Sequence, residues 1–191
     1  MDFVFNIDKT VAAAAYLARK QGGKITVFVL MKMMYAAERF ALAEWHRPIT
    51  GDSFCSMAKG PVLSRTYDLV KGSVAGSNSD MQKWSAHFSP RQGNDIHLLA
   101  EPDFDFLSDR EKGALDKGQE EISGMIKANG LIAGPLHALW PEWQDPSSFG
   151  KGSIPLTLKE VLSEIVEDEE EVERICLEVQ AVQSAKAALQ A

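Results

Sequence analysis

The chain has 191 residues, 45% of them apolar and 25% charged, with a formal net charge of −7. These values fit one globular domain with a single core and exclude a disordered chain. The negative balance, with no Lys/Arg run longer than two residues, argues against a phosphate-backbone partner, so no nucleic-acid partner is expected.

Residues 7–21 place Ile7, Val11, Ala14, Ala15 and Ala18 on one helical face, with Asn6 to cap the start and Gly22-Gly23 to end it. Thr26 then caps a second helix running to about Trp45. Its apolar stretch, 25–43, is interrupted by Lys32, Glu38 and Arg39, so it reads as a buried helix and not as a membrane span. Lys32 and Arg39 share one narrow stripe, and a helix apolar nearly all round belongs in the middle of a domain. Arg47-Pro48 stops it, residues 49–52 form a turn, and 53–57 alternate as a short strand. Gly60-Pro61 is a second breaker. Helical spacing returns over 62–70, with Pro61 suited to the first turn of that helix because its missing N–H costs nothing there. Residues 71–80 are rich in Gly, Ser and Asn and read as a loop.

Trp84, Ala86 and Phe88 alternate with polar residues, and 96–99 is a second apolar run, so the pair reads as a β-hairpin. Ser108-Asp109-Arg110-Glu111 is a capping box opening a helix to about Asn129. A short apolar piece at 136–140 precedes a loop over 141–153. Thr157-Leu158-Lys159-Glu160 is a second capping box, opening a helix to about 165 or 166. The last helix, about 169–189, follows the acidic block 167–171, which suits the positive end of a helix dipole. Its stripe of Val172, Ile175, Val179, Val182 and Leu189 has two readings: packing on the chain's own core, or an offer to a partner's groove. There is no internal repeat. The expected class is mainly α (α+β), a helical bundle around a central buried helix with a small antiparallel β element. Residues 1–166 form the domain and 167–191 the added amphipathic helix.

Catalytic chemistry is hard to find. His46, His87, His97 and His137 make no HxxxH or HExxH pair, and His87 and His97 meet only if the hairpin forms. His137 has no nucleophile or orienting carboxylate beside it in sequence. Cys55 and Cys176 show no CxxC spacing, and Cys55 between Phe54 and Met57 reads as an inert thiol. Residues 149–153 contain a Gly-Lys pair without a phosphate loop. No catalytic residue, metal or cofactor is therefore expected. Without a basic or apolar leader at Met1-Asp2-Phe3, a cytoplasmic protein with no membrane partner is expected.

Several segments together carry a likeness. Residues 30–39, Leu-Met-Lys-Met-Met-Tyr-Ala-Ala-Glu-Arg, resemble the "LxKLLYxAD" helix of the Panacea (SocA-like) antitoxin family, with Met33 and Met34 for leucines and Glu38 for Asp. Residues 47–52 resemble its Pro-Ile/Leu-Thr-Gly-Asp turn, with His46 where Gly is common. Residues 57–69 resemble its "M-x-x-G-P-V-x-S-x-x-Y-D-L" segment, with Leu63 where Pro is frequent, and 136–143 resemble its C-terminal His/Trp segment. The likeness spans roughly 7–166 and is strongest over 30–69.

The resemblance implies an antitoxin of a bacterial or phage toxin–antitoxin pair, mainly helical, neutralising a cognate protein toxin by direct contact. One branch implies an adaptor that hands its toxin to the ClpXP protease. The residues themselves support a rigid scaffold: Gly51 and Gly60 for turns, Asp52 for backbone N–H groups of its own turn, Pro61, and Tyr67 and Asp68 facing different surroundings. The candidate partner surface combines Gly51, Asp52, Gly60, Pro61, Tyr67 and Asp68 with His137, Trp140 and Trp143, since Trp and Tyr make large contacts at low entropy cost. The residues 71–80 and the last helix are a second candidate. The competing enzyme reading is a hydrolase using His137 with Asp68 or Glu38.

Overall fold

The computed structural model describes residues 3–73, 78–130 and 139–190, the side chains of 183–190 excepted. Helix α1 (Ile7–Lys20) starts where the Asn6 side chain accepts the Lys9 N–H at 3.1 Å. Ala12 to Ala15 and Ala18 are fully buried, so small side chains let the helix lie close to its neighbours. Strand β1 (Lys24–Thr26) leads into helix α2 (Val27–Trp45), the centre of the fold. Every residue from Leu30 to Glu38 is buried. Each large apolar side chain buried there contributes roughly 1.5–3 kcal/mol. Thr26 occupies the N-cap position of α2 without capping it: its hydroxyl donates to Asp95 at 2.8 Å instead.

The chain then enters a three-stranded antiparallel sheet in which Phe54–Met57 lies between Gly60–Leu63 and Ser153–Leu156. Strands β2 (Phe54–Met57) and β3 (Gly60–Leu63) form a hairpin that opens directly into helix α3 (Ser64–Lys71). The 62–70 segment expected as helix is thus strand as far as Leu63, and Pro61 sits in β3, not in a helical first turn. The position tolerates Pro because β3 is an edge strand, with one side free of ladder bonds. Helix α4 (Asn78–His87) replaces the first strand of the expected hairpin. Trp84 and Phe88 are four apart, and their rings stack at 4.3 Å, so the alternation read as strand also satisfies one helical face. What survives of the hairpin is two isolated bridges, Phe88 to Leu98 and Gln92 to Asp95. Strand β4 (Asp95–His97) pairs with β1 in a two-stranded sheet.

Helix α5 (Asp109–Asn129) opens with the expected Ser108–Glu111 capping box and lies against α2. At Gly118 a Cβ would sit 2.6 Å from the Met33 carbonyl oxygen and 2.8 Å from the Ala37 nitrogen. The two backbones touch there, which explains a glycine inside a helix despite its cost of about 1 kcal/mol. Residues 141–152 lead to strand β5 (Ser153–Leu156), which begins on the last residue of the expected loop over 141–153. Helix α6 (Leu158–Ser163) opens with the Thr157–Glu160 capping box. Helix α7 (Glu169–Gln190) follows. Its Val172, Ile175 and Val179 are buried in the core, whereas Val182 is 44% exposed. The stripe packs inward at its start and surfaces later, and Leu189 lies outside the described side chains. Among the described residues no helix is long and apolar enough to cross a membrane.

Candidate functional site

The motif residues converge on helix α2, around which the side chains of Lys32, Glu38, Asp52 and Glu142 are buried. Glu38 is 1% exposed, and its carboxylate accepts the Ile49 N–H at 2.6 Å, the Thr50 N–H at 2.9 Å and the Thr50 hydroxyl. The turn after α2 is therefore clamped back onto the helix. Gly51 completes that turn at φ +70°, and a Cβ there would lie 2.3 Å from the Val4 carbonyl oxygen, so no other residue fits. Burial pushes the Glu38 carboxyl up to about 7 against the pull of its three donors, and the Asp52 charge adds to the rise.

Asp52, 2% exposed, does more than serve its own turn. It accepts the Ser53 N–H at 2.7 Å, and also the Arg65 N–H at 2.9 Å, the Thr66 N–H at 2.8 Å and the Thr66 hydroxyl at 2.7 Å. Leu63, at the N-cap position of α3, offers no side-chain acceptor. Asp52 supplies it from across the hairpin, and its charge meets the positive end of the helix. That is why α3 begins at Ser64. Burial raises the Asp52 pKa, and these donors hold it down.

A second cluster ties the Trp140–Trp143 segment to α2. The Tyr35 hydroxyl donates to Glu142 at 2.7 Å, and Arg39 forms an ion pair with the same carboxylate oxygen. The other oxygen, Glu142 Oε2, is buried and accepts no hydrogen bond within the described residues. Trp140 packs edge-on against Tyr35 at 5.0 Å, and Tyr35 against Phe54 at 5.8 Å. The Trp143 indole N–H donates to the Met57 carbonyl at 2.9 Å.

Lys32 stands apart. It is 1% exposed, and its ammonium donates to the Pro61 carbonyl at 2.7 Å. Burial lowers its pKa to about 7. The Phe28 and Trp140 rings each lie 5.6 Å away. In the sequence Lys32 is only a polar interruption of an apolar stretch. Its signal was a lysine in the most apolar helix of the chain, and the tertiary placement was needed to show what it meets. Glu142 was missed altogether, since nothing in a Pro-Glu-Trp string indicates burial against Arg39.

The candidate surface residues divide by depth. Gly51, Asp52, Gly60, Pro61 and Trp140 are buried, so they shape the scaffold, with Gly60 at φ +96° closing the β2–β3 turn. Tyr67, Asp68 and Trp143 are half-buried and reach the surface. His137 lies outside the described residues, as do 74–77 of the 71–80 segment. Asp68 pairs with Lys71 at 2.8 Å, and Glu38 accepts the Ile49 and Thr50 N–H groups. Cys55 is pushed up to about 11 by burial, which keeps it a thiol. Among the described residues no group of three or more His, Cys, Asp or Glu is close enough to hold a metal ion.

Two hollows border the motif. One, of about 550 Å³, lies between the N-terminal segment, the 45–51 turn and α7, and Phe3, Trp45, Gly51, Val179 and Val182 line it. The other, of about 410 Å³, lies between the start of α2, the β2–β3 turn and residues 91–94.

A family model described as antitoxin SocA-like, Panacea domain, matches residues 30–132, which is more than half of the chain. No curated protein and no solved structure gives a significant match.

Proposed function

Because the chain belongs to the SocA-like Panacea-domain antitoxin family, we propose that it neutralises a cognate protein toxin by direct protein–protein binding. The observation that supports this most is the family match over the segment whose residues build the rigid turn–hairpin–helix scaffold. A preformed surface binds without the entropy cost of ordering a loop at each encounter. The contact surface is the outer side of that scaffold: Tyr67 and Asp68 on α3, Trp143, and the exposed turn Ala58-Lys59. The buried motif residues set the positions of these groups and do not touch the toxin. No catalytic step is assigned to the antitoxin, and it acts in the cytoplasm.

The test is co-expression with the neighbouring open reading frame. The neighbour alone arrests growth, the pair grows, and the two proteins co-purify. A neighbour that is harmless alone and never co-purifies overturns the proposal. Tyr67→Ala with Asp68→Lys is expected to weaken the complex by about tenfold or more while the chain still unfolds in one cooperative transition, as for a surface hot spot. In the adaptor branch, the toxin would instead be lost from cells that contain ClpXP and persist in cells that lack it.

A further inference from the structure

The 410 Å³ cleft has a size typical of small-molecule sites. Its ionisable lining groups other than Tyr67 are all cations: Lys32 at the base, Lys59 and Arg91 at the rim. This is unexpected in a chain of net charge −7. Neighbouring carboxylates are already committed elsewhere, Asp95 to Lys24 and Thr26, Asp68 to Lys71. Among the described residues Lys59 has no ion pair, and Arg91 bonds the neutral groups Gly93 and Asn94. The Lys32 ammonium is buried with one carbonyl, two aromatic rings and the Cys55 thiol as its company. A buried cation without a counter-charge is costly, and fixed cations along an otherwise apolar wall stabilise a bound anion strongly. Phe28, Met31 and Tyr67 supply the apolar wall beside the three cations.

We propose that this cleft binds a small, flat-bodied organic anion, whose carboxylate or phosphate meets Lys32, Lys59 and Arg91 while its body lies along Phe28 and Tyr67. The bound anion supplies the counter-charge that the fold withholds from Lys32, and the lysine's pKa, lowered by burial, rises on binding. This site does not depend on the antitoxin reading.

The test is a titration of the isotope-labelled chain, followed by the amide resonances of Thr26, Phe28, Gly60 and Asn94. Two anions, adenosine monophosphate and 4-hydroxybenzoate, are compared with their uncharged counterparts, adenosine and phenol. At least one anion is expected to bind about tenfold tighter than its uncharged counterpart, a difference of about 1.4 kcal/mol. Lys32→Met is expected to remove that preference. The rim variant Lys59→Ala with Arg91→Ala, whose residues are exposed and outside the core, is expected to reduce it several-fold, which keeps the test informative should Lys32→Met misfold. The proposal is overturned if neither anion moves these amides, if each uncharged compound binds as tightly as its anion, or if the preference survives in both variants.

Discussion

Helix α2 and the turn that follows it hold buried charges in two different ways. Glu38 and Asp52 are saturated: each carboxylate accepts several backbone or hydroxyl hydrogen atoms, and each joins segments far apart in sequence. Lys32, six residues before Glu38 on the same helix, has one carbonyl and, among the described residues, no counter-charge, and it lines a cleft. A saturated buried charge is a structural clamp, since removing it strands its partners. An unsaturated one is a cost to the fold and gains its purpose from something bound. The contrast predicts opposite outcomes for truncating the two kinds.

The largest effect is expected at Asp52. Asp52→Ala leaves the Arg65 and Thr66 N–H groups and a buried hydroxyl without an acceptor, and should cost about 3 kcal/mol in urea unfolding. A loss below about 1 kcal/mol would mean that water replaces the cap. Glu38→Gln should cost about 2 kcal/mol, because an amide cannot accept on both arms. It should also flatten a pH slope. The folded Glu38 pKa, about 7, lies above the ordinary 4.5, so its contribution is fully present below pH 4.5 and is lost as pH rises through about 7. Denaturation midpoints of both proteins from pH 4.5 to 8 check this.

Lys32→Met should go the other way, stabilising the fold by about 1 kcal/mol near neutral pH by removing a buried cation at similar volume. The folded Lys32 pKa, about 7, lies below 10.5, so its contribution is present above pH 10.5 and lost as pH falls to about 7. The gain from methionine should therefore shrink between pH 7 and 10. A destabilised Lys32→Met at neutral pH would place Lys32 with the clamps. The smallest effect is expected at His46, which caps α2 at φ +60°. His46→Gly should gain about 0.5 kcal/mol by relieving left-handed strain, partly offset by the freer unfolded chain.

Much of the fold was legible because its signals are local. Asn6, Ser108 and Thr157 cap the helices that their spacing announced, since a cap needs only residues three positions apart. The buried centre at α2 followed from a helix apolar on nearly every side, and the family likeness over 30–69 agrees with the match over 30–132. Other elements were not legible, because their causes are distant. The start of α3 depends on Asp52, which lies thirteen residues before Arg65 in the chain. Strand β5 exists because β2 offers it an edge, and its Ser-Ile-Pro-Leu string carries no strand pattern of its own. Trp84 to Phe88 fits either period, and the packing decided for helix.

By itself, then, the sequence determined the class, the central helix, the starts of α1, α5 and α6 and the family, all properties written in neighbouring residues. Tertiary structure alone decided which charges became clamps and which was left facing a cleft. A side chain's protonation and hydrogen bonds depend on what distant segments bring to it, and no local pattern encodes that for Lys32, Asp52 or Glu142. The motif turned out to lie mostly beneath the surface, with Asp52 as its pivot and Lys32 held by a single carbonyl.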